Sequence, residues 1–123
     1  MKASILAGAI VFSISTAAVA QPVGTFQVIG RNPGASGGPP AYTGTITITA
    51  TSGGAFDVVW TFGRMRVPGR GVFVNNVFAV AYSNRRPAGP AIVAYVRRPD
   101  GTWEGTWALP GNPNTGLELL TAQ

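Results

Sequence analysis

Along much of the chain apolar and polar positions alternate with a period of two, the pattern of a strand with one buried face. Tyr42, Gly44, Ile46 and Ile48 share one face, and Thr43, Thr45, Thr47 and Thr49 the other. Phe56, Val58, Trp60 and Phe62 alternate with Asp57, Val59, Thr61 and Gly63. Trp103, Gly105, Trp107 and Leu109 alternate with Thr102, Glu104, Thr106 and Ala108. Eight strand-like runs are predicted, several of them alternating in this way: Gly24–Gly30, Ala41–Ala50, Ala55–Phe62, Arg66–Val74, Val77–Tyr82, Ala91–Arg97, Thr102–Leu109 and Gly116–Thr121. The fourth is ambiguous. Val67-Pro68-Gly69 either begins the strand or forms a bulge, which leaves the direction of Arg70 open.

No segment after residue 20 has helical periodicity, and short turn sequences separate the runs. Asn75-Asn76 fits a two-residue hairpin, because Asn tolerates positive φ. Ser52-Gly53-Gly54 and Pro99-Asp100-Gly101 are tight turns. Hairpin after hairpin is a meander. Eight strands in a meander most naturally close into an antiparallel up-and-down barrel, which removes the sheet edges. An antiparallel β-sandwich is the alternative. Tyr42-Thr43-Gly44-Thr45-Ile46 and Trp103-Glu104-Gly105-Thr106-Trp107 share the pattern aromatic-x-Gly-Thr-apolar. A glycine on the buried face lets the strand coil and an aromatic lie across it. The reading favoured is a barrel-bending device rather than an aromatic ligand cage.

Connections in a meander alternate between two ends. The three tight turns and the chain termini fall at one end. The segments Arg31–Pro40, Gly63–Met65, Ser83–Pro90 and Pro110–Thr115 fall at the other and are mostly longer. Binding usually resides on such loops. Charge sorts the same way. Arg31, Arg64, Arg66, Arg85 and Arg86 lie in or beside these segments, which hold no Asp or Glu. These five arginines are the candidate site for an anionic macromolecule.

The start of the chain reads as a cleavable signal peptide over residues 1–20: Lys2, the apolar stretch Ile5 to Ile14, then small residues ending Ala18-Val19-Ala20. Its apolar run is shorter than the roughly 20 residues of a membrane span. Residues 21–123 then form a single domain, exported to the periplasm or secreted. That portion holds eight arginines and no lysine against Asp57, Asp100, Glu104 and Glu118, a net charge of +4. The chain has no Cys, so stability rests on packing and strand pairing alone.

The chain also lacks His. With neither His nor Cys there is no thiolate nucleophile, no Ser-His-Asp triad and none of the usual zinc ligands. Asp100 and Glu104 are the nearest approach to a carboxylate pair, but Glu104 is expected to face outward. The Gly34–Gly38 stretch lacks a P-loop ending and precedes a strand. The expectation is a protein that is not an enzyme, uses no cofactor or metal, and does not act on nucleic acid.

Several pieces in order resemble small exported bacterial proteins often labelled fibronectin-binding proteins: Gly24-Thr25-Phe26, Gly30-Arg31-Asn32-Pro33, Tyr42-Thr43-Gly44-Thr45, Val58-Val59-Trp60-Thr61-Phe62-Gly63, Gly69-Arg70-Gly71-Val72, Ala79-Val80-Ala81-Tyr82 and Asp100-Gly101-Thr102-Trp103-Glu104-Gly105-Thr106-Trp107. The resemblance covers nearly all of residues 21–123 and departs from the family in a longer, Gly/Pro-rich stretch at Ala35–Pro40. In general shape the Trp-bearing runs Phe56–Phe62 and Thr102–Leu109 also resemble the strands of avidin and lipocalin-like meander barrels, a likeness of fold only. The function expected is an exported, monomeric binding protein engaging a matrix protein or a polyanionic polymer outside the cytoplasm. Inhibition of a secreted or periplasmic hydrolase is the alternative. Carriage of a small apolar ligand ranks third, because side chains nearly fill the interior of an eight-stranded barrel.

Overall fold

The computed structural model describes residues 21–35, 37–85 and 88–123, with the backbone alone at 84, 85 and 88. The expected signal peptide, Ser36 and Arg86 lie outside the described residues. Eight strands follow in order: β1 Gly24–Arg31, β2 Tyr42–Ala50, β3 Phe56–Phe62, β4 Met65–Val74, β5 Val77–Arg85, β6 Ala88–Arg97, β7 Trp103–Ala108 and β8 Gly116–Ala122. Each pairs antiparallel with its neighbour in sequence, and β8 pairs with β1 from Phe26↔Ala122 to Arg31↔Leu117, closing the barrel. The sandwich alternative is thereby excluded. Among the described residues no helix is long and apolar enough to cross a membrane.

The inward faces are those that the alternation predicts. Ile46 and Ile48 of β2, Phe56, Val58 and Trp60 of β3, and Trp103 and Trp107 of β7 are all buried. With Phe26, Val28, Phe78, Val80, Val93, Tyr95 and Leu120 they form one core. Asn75 and Asn76 both adopt positive φ, at 50° and 67°, which is the two-residue hairpin turn expected there. In β4 the inward positions are Val67, Gly69, Gly71 and Phe73, and Arg70 points outward to Asp57 on β3, at 2.9 Å. Val67, Pro68 and Gly69 pair in unbroken register with Trp60, Val59 and Val58, so the segment lies within the strand and forms no bulge against β3, while Val72 and Val74 on the outer face are exposed.

One connection differs from expectation. Residues 83–90 are not a long loop: β5 and β6 continue as a hairpin through Ser83↔Pro90, Asn84↔Gly89 and Arg85↔Ala88. Pro90 marks a strand end in sequence because it has no N–H to donate. Here β6 is a free edge on its other side, since pairing with β7 begins only at Ile92↔Ala108. A proline in that position breaks no ladder. The β5–β6 ladder therefore runs past the last pairing of β6 with β7. Pro68 has a related role. The β4–β5 ladder begins at Gly69↔Tyr82, immediately after it. Met65 to Pro68 thus have no partner on β5, and the wall is split between β4 and β5 at the loop-bearing end.

Candidate functional site

The core residues from Phe26 to Leu120 fill the barrel interior away from the loop-bearing end. Toward the loop-bearing end it opens into a cavity of about 1120 Å³. Tyr42, Trp60, Phe62, Tyr82 and Trp107 supply aromatic walls, and Val67, Val93 and Leu109 supply aliphatic ones. Arg64, Arg66, Pro68 and Ser83 also line it, along the split between β4 and β5. The volume corrects the expectation of a nearly filled interior. Of the inward positions of β4, only Val67 lines the cavity; the space over Gly69 is taken by Trp60 and Val80, and that over Gly71 by Phe78.

Glycines on the inner face also set the aromatic rings. The Tyr95 ring lies across Gly105, where a Cβ would meet the ring at 2.6 Å. In the same way Tyr42 covers Gly30 and Trp107 covers Gly116, with no room for a side chain beneath either ring. Gly30 and Gly116 thus fix two rings of the cavity wall, and Gly105 fixes the Tyr95 ring in the core. Tyr42 packs edge-on to Phe62 at 5.3 Å between centroids, and Trp60 lies 5.0 Å from Tyr82. The Trp107 indole N–H donates to the Leu117 carbonyl at 3.3 Å.

Glu118, which also lines the cavity, is the residue that the sequence reading did not single out. It is only 8% exposed and is the one charged side chain buried among the described residues. Tyr42 donates its hydroxyl to Oε2 at 2.7 Å. Tyr95 donates its hydroxyl to Oε1, and the Trp60 indole N–H donates to the same oxygen at 3.3 Å. Desolvation holds the Glu118 carboxyl above its ordinary pKa, while the three donated hydrogen bonds pull it down by less. The effect on the phenols is mutual. Burial and the Glu118 charge raise Tyr42 and Tyr95 well above the ordinary tyrosine value, and push Tyr82 up to about 12.

The other carboxylates have structural or surface positions. Asp57 pairs with Arg70 across β3 and β4. Asp100 accepts from the backbone N–H and hydroxyl of Thr102, at 3.0 and 2.6 Å, and these bonds lower its pKa. Glu104 is exposed on the outer face, as expected.

The five sequence-predicted arginines meet different surroundings. Arg64 and Arg66 are exposed and line the cavity, and neither forms an ion pair among the described residues. Arg31 is turned onto its own loop, where Nη1 donates to the carbonyls of Gly37 and Pro39, both at 3.2 Å, and of Gly38. Arg85 sits at the end of β5, paired with Ala88. Arg86 lies outside the described residues. Glu118 escaped notice because Leu117-Glu118-Leu119-Leu120 reads equally well with Leu117 and Leu119 inward. The register with β1 and β7 puts both Glu118, opposite Gly30 and Gly105, and Leu120, opposite Val28 and Trp103, inside instead. No family model matches the chain, and no curated protein matches it.

Proposed function

We propose that this is a non-catalytic binding protein, acting outside the cytoplasm, that takes a small ligand with an aromatic or apolar body into the loop-bearing end of the barrel. The carrying observation is the cavity of about 1120 Å³ with five aromatic residues in its walls. Ligand sites are typically concave, mainly apolar and supplied with a few fixed polar groups. This cavity has that composition, with the Glu118 cluster as its polar part. The ranking expected from sequence placed a small-ligand carrier last because bulky side chains fill such barrels; the open volume moves it to first.

N-phenyl-1-naphthylamine, an uncharged apolar fluorophore, tests the reading. Its emission is expected to rise on binding and to quench the indoles of Trp60 and Trp107. Val67→Trp, which fills the mouth from a half-buried position, is expected to abolish binding while the barrel melts as before. Absence of binding by the native protein, or equal binding by the variant, refutes the cavity as the site.

Arg64 and Arg66 favour a second reading, in which the rim holds an anionic macromolecule such as a matrix protein or sulfated glycan. In that case retention on heparin falls sharply with salt. It also falls more in Arg64→Ser with Arg66→Ser than in Arg97→Ser with Arg98→Ser, which removes the same charge elsewhere.

A further inference from the structure

The cavity has a charge pattern that an apolar ligand would leave unused. Glu118 carries the only carboxyl group in its lining, and it is 8% exposed. Its three donors, Tyr42, Trp60 and Tyr95, are neutral. They satisfy hydrogen bonds without supplying counter-charge. No Lys or Arg lies within ion-pair distance of it among the described residues. A buried carboxylate lacking a cation is costly, and a bound cation relieves that cost. There is also room for one more donor. Oε1 accepts from both Trp60 and Tyr95, whereas Oε2 accepts from Tyr42 alone.

The walls agree with this polarity. Aromatic faces carry negative quadrupole charge and attract ammonium groups, most strongly where water is excluded. Trp60, Tyr82, Tyr42 and Trp107 surround the approach to Glu118. The rim has the opposite sign. Arg64 and Arg66 line the opening and are exposed. A simple cation is repelled there, and a simple anion that enters meets Glu118. Glu118, Arg64 and Arg66 line the one cavity, so a single ligand within it has both poles in its surroundings.

Resting on the cavity reading above, we propose that the ligand is a small zwitterion: a cationic nitrogen seated against Glu118 among the aromatic rings, with an anionic group left at the Arg64–Arg66 rim. The aromatic residues recognise the body and the cationic end together. The arginines orient the molecule and reject ligands that lack the anion.

Four probes built on one ring separate the contributions: 4-(aminomethyl)benzoate, benzylamine, benzoate and uncharged benzyl alcohol. Titration is followed through the indole N–H resonances of Trp60 and Trp107. The expected order is 4-(aminomethyl)benzoate tightest, benzylamine next, benzoate weakest. Glu118→Gln keeps the shape and removes the charge. It is expected to weaken 4-(aminomethyl)benzoate and benzylamine by about tenfold or more, the loss of one charge-assisted hydrogen bond, and to leave benzyl alcohol unchanged. Arg64→Ser with Arg66→Ser is expected to weaken the zwitterion and not benzylamine. Both arginines are exposed, so this variant and the native ranking decide the matter even if Glu118→Gln does not fold. Benzoate binding as tightly as the zwitterion overturns the proposal, as does unchanged binding by folded Glu118→Gln. If benzyl alcohol binds as well as the other three, the charges are not read and the proposal fails while the cavity reading stands. If none of the four binds while N-phenyl-1-naphthylamine does, the proposal fails and the cavity reading stands; if that fluorophore does not bind either, both fail.

Discussion

All three tyrosines of the chain, Tyr42, Tyr82 and Tyr95, are buried or half-buried, and each feels the Glu118 charge. Their ionisation is therefore opposed twice, by desolvation and by a neighbouring anion. Up to their ordinary pKa of 10.0 the folded and unfolded chains are equally protonated at these sites. Above it the unfolded chain releases phenolic protons that the folded chain retains, so stability falls as pH rises further. The folded barrel is expected to show almost no tyrosinate absorbance at 295 nm at pH 11. The signal should then appear together with loss of the far-ultraviolet dichroism of the strands. Three tyrosines titrating smoothly near pH 10 in an intact fold would contradict the described burial. At this scale the sequence was only partly legible. Tyr42 and Trp60 sit on faces that alternation marks as buried, but nothing local says that their polar atoms converge on one carboxylate. Glu118 belongs to a strand 76 residues from Tyr42.

Among the elements, β7 alternates most cleanly, with Trp103, Gly105 and Trp107 inside and Glu104 and Thr106 outside. Trp107 is 8% exposed, covers Gly116 and donates to Leu117. Trp107→Ala is expected to cost about 3–5 kcal/mol, and Thr106→Ala less than about 1 kcal/mol. Urea melts of the two variants check this, and similar costs would place the register wrongly. Strand identity was readable from such alternation and from turn chemistry, and Asn75-Asn76 turned as its residues dictate. Strand length was not. Pro90 and Gly89 end a strand by local rules, yet β6 runs from Ala88 because no neighbour asks for the missing N–H. Likewise Pro68 lies within β4, beside the split in the wall. Whether a proline interrupts a strand depends on whether a partner stands beside it, and that is a property of the sheet.

For the whole molecule, the closed meander leaves every strand paired along most of its length, which replaces the disulfides that this Cys-free chain does not have. The expectation that residues 1–20 are a signal peptide predicts that protein recovered after export begins at Gln21, by intact mass; a product starting at Met1 refutes it. The loop-bearing end gathers Arg64, Arg66 and Glu118 from turns and strands far apart in sequence. The sequence alone determined the all-β class, the eight strands, most inward faces and the alternation of connections between two ends. These follow from period-two patterning and turn residues, which act over a few positions. Only the tertiary structure decided the cavity, the split between β4 and β5, the engagement of Arg31 by its own loop and the burial of Glu118. Each of these depends on register between strands and on which volumes remain unfilled once all eight inner faces meet. Those quantities exist only when the barrel closes, so no local pattern contains them.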